Sequence, residues 1–136
     1  MKLINNKHGL TLVETMVAIL VFGIVLVGML EVSSKSMLMG KRSNLSYTAY
    51  NLAKNHLETL KASSFASLSS ADETDTLLDP AGVPDPEGQY KRNTSVATNY
   101  TGDTDLVSVT VTVDYEVKGT FSGNPVTLST VIFQYA

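Results

Sequence analysis

Lys7 to Leu30 reads KHGLTLVETMVAILVFGIVLVGML, and its character decides the fold. No residue from Met16 to Leu30 is charged, and back to Leu10 the only charge is Glu14. A helix rising 1.5 Å per residue over such a run spans the hydrocarbon core of a bilayer, about 30 Å thick. Met16, Leu20, Phe22, Gly23, Leu26 and Leu30 are the candidate membrane-helix residues. Lys2 and Lys7 precede the run and no cation follows it until Lys35, so the positive-inside bias leaves the N-terminus cytoplasmic. Glu14 is the anomaly. A carboxylate at the bilayer centre opposes insertion by roughly 2.5 kcal/mol or more, which calls for a partner or a special place.

A secretory signal peptide starts in a similar way and is the main rival. Its apolar region is about 7–15 residues long and ends at a small-residue cleavage site, for which Val32 to Ser34 would serve. That reading would release a soluble periplasmic or surface binding module. The length of the apolar run and the carboxylate inside it both weigh against it.

The apolar character continues in another form downstream. Between Ser43 and Ala62 there is neither glycine nor proline, and Leu45, Ala49, Leu52, Ala53, Leu57 and Leu60 recur at helical spacing. Joined to the first run, this predicts one helix of roughly 50 residues, with a weak point at Gly40 and the Lys41-Arg42 pair. Residues 66–89 mix Ser, Asp, Glu, Pro and Gly without a period and read as a long acidic loop.

Three strand candidates follow. In LVSVTVTVDYEV, Val107, Val109, Val111, Val113, Tyr115 and Val117 alternate with polar residues, as in a strand with one wet face. YKRNTSVATNY, from Tyr90, alternates more weakly and is joined to it through the turn TGDTD. GTFSGNP reads as a longer connection into VTLSTVIFQY. There the apolar phase moves from Val126 and Leu128 to Val131, Phe133 and Tyr135, so a bulge or burial on both faces is expected. The expected fold class is α+β: a long N-terminal helix, with an apolar stalk and an amphipathic half, packed on a small three-stranded antiparallel sheet. An exposed apolar stalk needs lipid or similar helices around it.

Composition excludes several functions. The net charge is -3, and setting aside Lys2 and Lys7 leaves eight Lys and Arg against 13 Asp and Glu, so no direct nucleic-acid binding is expected. There are no cysteines, hence no disulfide framework or thiolate metal site. His56 is the one histidine after the leader and has no nucleophile or second ligand at a usable spacing. Asp72, Glu73, Asp75, Asp79, Asp85 and Glu87 lack EF-hand spacing and read as a solvated loop. Neither G-x-S-x-G nor S-x-x-K occurs. No catalytic site, metal or cofactor is expected. Lys41 and Arg42 read as a solvated helix face.

KHGLTLVET resembles the processing site of type IV prepilins and pseudopilins: a short basic leader, a glycine, then an apolar residue, Thr-Leu-Val and a glutamate ahead of an apolar helix. The resemblance implies that a prepilin peptidase cuts after Gly9 and N-methylates Leu10, removing residues 1–9 and keeping the helix. Residues 10–42 then form the stalk and 43–136 the head, with the acidic loop at 66–89 and the sheet at 90–136. It also implies that Glu14 sets register in the filament by neutralising the N-terminal amine of a neighbouring subunit. Leu10 stands where most relatives carry phenylalanine, Glu31 where many major pilins carry proline, and Gly23 matches a common stalk glycine.

The head, with AYNLAKNHLETLKASSF and VSVTVTVDYEV, looks most like minor pilins of the V kind and minor pseudopilins of the I kind. The implied protein is a non-catalytic subunit in, or initiating, a type IV pilus filament. A type II secretion pseudopilin is the alternative. Its partners would be the peptidase, major and minor pilins or pseudopilins, and inner-membrane lipid. The head would stand in the periplasm before assembly.

Overall fold

The computed structural model describes residues 11–134, so Gly9 and Leu10 lie outside the described residues. A single helix, α1, runs from Leu12 to Ala62 and is unbroken at Gly40. Thr11 opens it: its Oγ1 accepts from the Glu14 N–H at 3.3 Å, and its carbonyl accepts from the Thr15 N–H at 3.1 Å. Thr-x-x-Glu is the sequence of a capping box, and a carboxylate in the first turn is favoured by the helix dipole. The chain divides into two compact units, the first ending at Gly40 and the second beginning at Lys41.

In the second unit α1 buries Ala49, Leu52, Ala53, Leu57 and Leu60, the stripe expected from the spacing. A short helix, α2 (Phe65–Leu68), adds the buried Leu68. The sheet has five strands: β1 (Glu73–Leu78), β2 (Tyr90–Thr98), β3 (Leu106–Val117), β4 (Thr120–Phe121) and β5 (Val126–Phe133). All pairings are antiparallel, with β1, β2 and β3 in order and both β4 and β5 on the other side of β3. β3 alternates without a fault, burying Val107, Val109, Val111, Val113, Tyr115 and Val117. Each valine so covered contributes roughly 1.5–3 kcal/mol relative to an exposed one, so this one strand carries much of the core.

The α+β class holds, and the expected three strands become five. The stretch 66–89 is not one loop, because it contains β1. Its alternation is spoiled by an irregularity between Glu73 and Thr76, where the register to β2 shifts and Asp75 takes a φ of 51°. The connection after β3 is not simply long. Lys118 and Gly119, at φ 56° and 81°, make a tight hairpin into β4 of the kind that needs positive φ at both central residues.

The bulge expected in the last strand is absent. β5 keeps one register against β3 from Val126 opposite Val113 to Phe133 opposite Leu106. Val126, Leu128, Thr130 and Ile132 are its more buried residues, while Val131 and Phe133 lie on the exposed side. The apparent change of phase arises because a threonine occupies an inner position and two large apolar residues occupy outer ones.

Candidate functional site

The first unit is an apolar helix without a protein cover. Every residue from 11 to 37 is exposed, including Met16, Leu20, Phe22, Leu26 and Leu30, and an added Cβ at Gly23 or Gly28 would meet nothing within 4 Å. Of the candidate residues, Met16, Leu20, Gly23, Leu26 and Leu30 follow one another at three- and four-residue steps and share one broad face. Phe22 borders that face. An apolar surface of this extent is unstable in water and is stabilised by lipid or by other apolar helices. By length and hydropathy α1 is able to cross a membrane.

Among the described residues of this unit, several polar groups are bonded within the helix. Glu14 sits in the first turn, where its backbone N–H is capped by Thr11. The Thr15 hydroxyl donates to the Leu12 carbonyl at 2.8 Å, and that of Ser34 to the Leu30 carbonyl at 3.0 Å. Lys35 pairs with Glu31 at 2.8 Å one turn away. Such an exposed pair contributes only a few tenths of a kcal/mol in water. The Glu14 carboxylate has no ion-pair partner among the described residues, and the mature N-terminus implied by the resemblance lies outside them.

The acids downstream are engaged one at a time and do not converge. Asp79 accepts from the Ala81 and Val83 N–H groups, and Asp85 from that of Glu87. Asp72 accepts from the Val96 N–H at 2.7 Å, and Asp75 pairs with Lys91 at 3.3 Å. Among the described residues no group of three or more His, Asp or Glu side chains is placed to hold a metal ion.

One polar cluster does form where α1 meets the sheet, and no sequence motif marks it. Arg92 on β2 grips Glu73 on β1 with two hydrogen bonds, Nε at 2.7 Å and Nη2 at 3.1 Å. His56 on α1 turns its Nε2 toward the same carboxylate at 3.7 Å, too far for a hydrogen bond, and that atom is buried without a partner. Burial first, and then the Arg92 guanidinium, hold the imidazole below its ordinary value, with the Glu73 carboxylate pulling the other way. At neutral pH His56 is therefore uncharged, and the contact with Glu73 is not an ion pair. Helical spacing alone places His56 beside the buried stripe; only the fold brings Glu73 and Arg92 to it.

Residues 4–30 match the family described as the prokaryotic N-terminal methylation motif. No curated protein and no solved structure matches the chain. Motifs of this kind mark type IV prepilin-like proteins, and a long helix packed on an antiparallel sheet is the α+β arrangement that type IV pilins have. A motif of this kind implies processing by a prepilin peptidase and assembly with other pilins, and with the apolar helix it fits a membrane-anchored protein.

Proposed function

We propose that this chain is a non-catalytic structural subunit, a minor pilin or minor pseudopilin incorporated into a type IV pilus-type filament or initiating its assembly. Peptidase cleavage follows Gly9, methylation falls on Leu10, and the processed subunit waits in the inner membrane with its N-terminus cytoplasmic and its head periplasmic. The observation that carries this reading is the coincidence of the methylation motif at residues 4–30 with a helix whose apolar surface is wholly exposed from residue 11 to residue 37. The small head and Glu31 in place of the proline of many major pilins support the minor kind.

In the filament Glu14 meets the methylated amine of an adjacent subunit. An ammonium or a carboxylate withdrawn from water costs several kcal/mol if left alone, so the pair penalises wrong axial register. The direct test is intact-mass measurement and N-terminal sequencing of the membrane-extracted protein, expressed with and without a prepilin peptidase. A peptidase-dependent start at methylated Leu10 is expected. A start near Lys35 that ignores the peptidase would overturn the reading.

The register role has its own test. Glu14→Gln removes the charge and leaves the Thr11 cap to the backbone N–H in place. Membrane insertion should be unchanged or improved, while incorporation into filaments falls at least tenfold. Normal incorporation of Glu14→Gln would remove Glu14 from the mechanism.

A further inference from the structure

The second unit is acidic, yet the cations it leaves without a partner stand at one end of it. From Lys41 onward there are seven Lys and Arg against eleven Asp and Glu. Four of the seven are answered locally. Lys54 pairs with Glu58, Lys91 with Asp75 and Arg92 with Glu73, and Lys61 lies in the last turn of α1, where the helix dipole favours a cation. The other three, Lys41, Arg42 and Lys118, are exposed and have no ion pair among the described residues. Arg42 borders an open hollow together with Val117 and Thr120, so the cations of α1 stand beside the β3–β4 hairpin whose tip holds Lys118.

This is also the end at which the unit is joined to the apolar helix. Met37 and Met39 are exposed, and Lys41 and Arg42 follow them directly. On α1 no acid occurs between Glu31 and Glu58. The acids of the hairpin strand, Asp114 and Glu116, lie on the wet face of β3, opposite its buried valines. An anionic membrane surface attracts cations held within about a Debye length of it, and the long stems of Lys and Arg lie along apolar surface while their heads reach phosphate. The acidity of the rest of the unit opposes such contact, which confines it to the end where the cations are unanswered.

We propose that Lys41, Arg42 and Lys118 rest on anionic phospholipid headgroups of the outer leaflet while the subunit is stored in the membrane. The inference rests on the membrane reading above and adds a headgroup contact to the lipid contact of the stalk. Two observations select lipid as the occupant: the sign of the charge, and its place directly after the apolar surface that needs lipid. Entry into a filament has to break this contact, so anionic lipid favours storage over assembly.

The chain has no cysteine, so a single introduced cysteine carries a spin label to one chosen position. The full chain is labelled as Leu26→Cys on the stalk, Thr104→Cys in the turn before β3 or Thr120→Cys on the hairpin. Each is reconstituted in vesicles of phosphatidylcholine alone or of phosphatidylcholine with phosphatidylglycerol, and collision with a water-soluble nickel complex is measured by electron paramagnetic resonance. At position 120 collisions should fall about fivefold when phosphatidylglycerol is present, the effect of about one surface cation. They should recover in about 1 M salt, where the Debye length is about 3 Å, and in the double variant Lys41→Gln, Arg42→Gln. Position 104 should stay accessible and position 26 shielded in both lipids. The proposal is overturned if position 120 is equally accessible in the two lipids, if its shielding survives either the salt or the double substitution, or if position 104 is shielded instead. A label at position 26 that meets nickel freely would sink the membrane reading, and this proposal with it.

Discussion

His56 is packed against a guanidinium and a carboxylate with its Nε2 buried and unbonded, and this has a consequence for stability. In the unfolded chain an imidazole titrates near pH 6.5, roughly. In the folded head its pKa is lower, chiefly through burial and then through Arg92. Acid therefore protonates the unfolded chain first. The stability that the neutral imidazole contributes is present above about pH 6.5 and is lost as the pH falls toward the folded value. The melting temperature of the wild-type head should drop more steeply between pH 7 and pH 5 than that of His56→Gln, in which the carboxylates titrate alike but the imidazole is gone. Parallel curves would show that His56 does not set the acid limit.

At this scale the sequence is legible where partners are local. The Thr11-Leu12-Val13-Glu14 cap lies within one turn, and the offset of His56 from the leucine stripe is a matter of helical spacing. The grip of Arg92 on Glu73 is not legible, since it depends on the register of two strands far from His56 in the chain. Arg42 reads as a solvated helix residue and is exposed in the structure.

Among the elements, those with an undisturbed period declare themselves. β3 alternates over twelve residues, and the stripe on α1 repeats from Leu45 to Leu60, so both are readable from the sequence alone. β1 is hidden because its irregularity at Asp75 breaks the two-residue period and because its neighbours are Asp, Pro and Gly. β1 is held in place by the segment that follows it: the Asp85 N–H donates to the Leu77 carbonyl at 3.0 Å, and Leu78 bridges to Pro84.

Gly88 makes this return possible. A Cβ there would lie 2.3 Å from the Leu78 carbonyl oxygen and 2.4 Å from its carbon, and neither backbone atom can move aside cheaply. Gly88→Ala should destabilise the head by about 1–3 kcal/mol or more, the usual cost of overpacking. It should also raise hydrogen exchange at β1 ahead of β3, a difference that native-state exchange would register. An alanine variant as stable as wild type, with β1 equally protected, would mean that the segment does not close on the strand as described.

For the whole molecule, the two units draw their stability from different sources. From residue 11 to residue 37 no side chain is buried by the protein, so the apolar helix depends on what surrounds it, whereas the unit from Lys41 onward encloses its own core. Val109 and Val111 are both 0% exposed at the centre of that core. Replacing both by aspartate would place two carboxylates there without partners, at several kcal/mol each, against a total stability for a domain of this size of roughly 5–15 kcal/mol. The double variant should lose the head: protease digests it, and the strand signal in circular dichroism of the detergent-extracted protein disappears. The proposed cleavage after Gly9 should persist, because every residue from 11 to 37 is already exposed in the folded protein. N-terminal sequencing and limited proteolysis on the same sample read both outcomes. A protease-resistant head would mean that the valine face of β3 is not the buried one. A head that unfolds together with loss of processing would mean that the first unit needs the second, and that the stalk cannot be presented to the peptidase on its own.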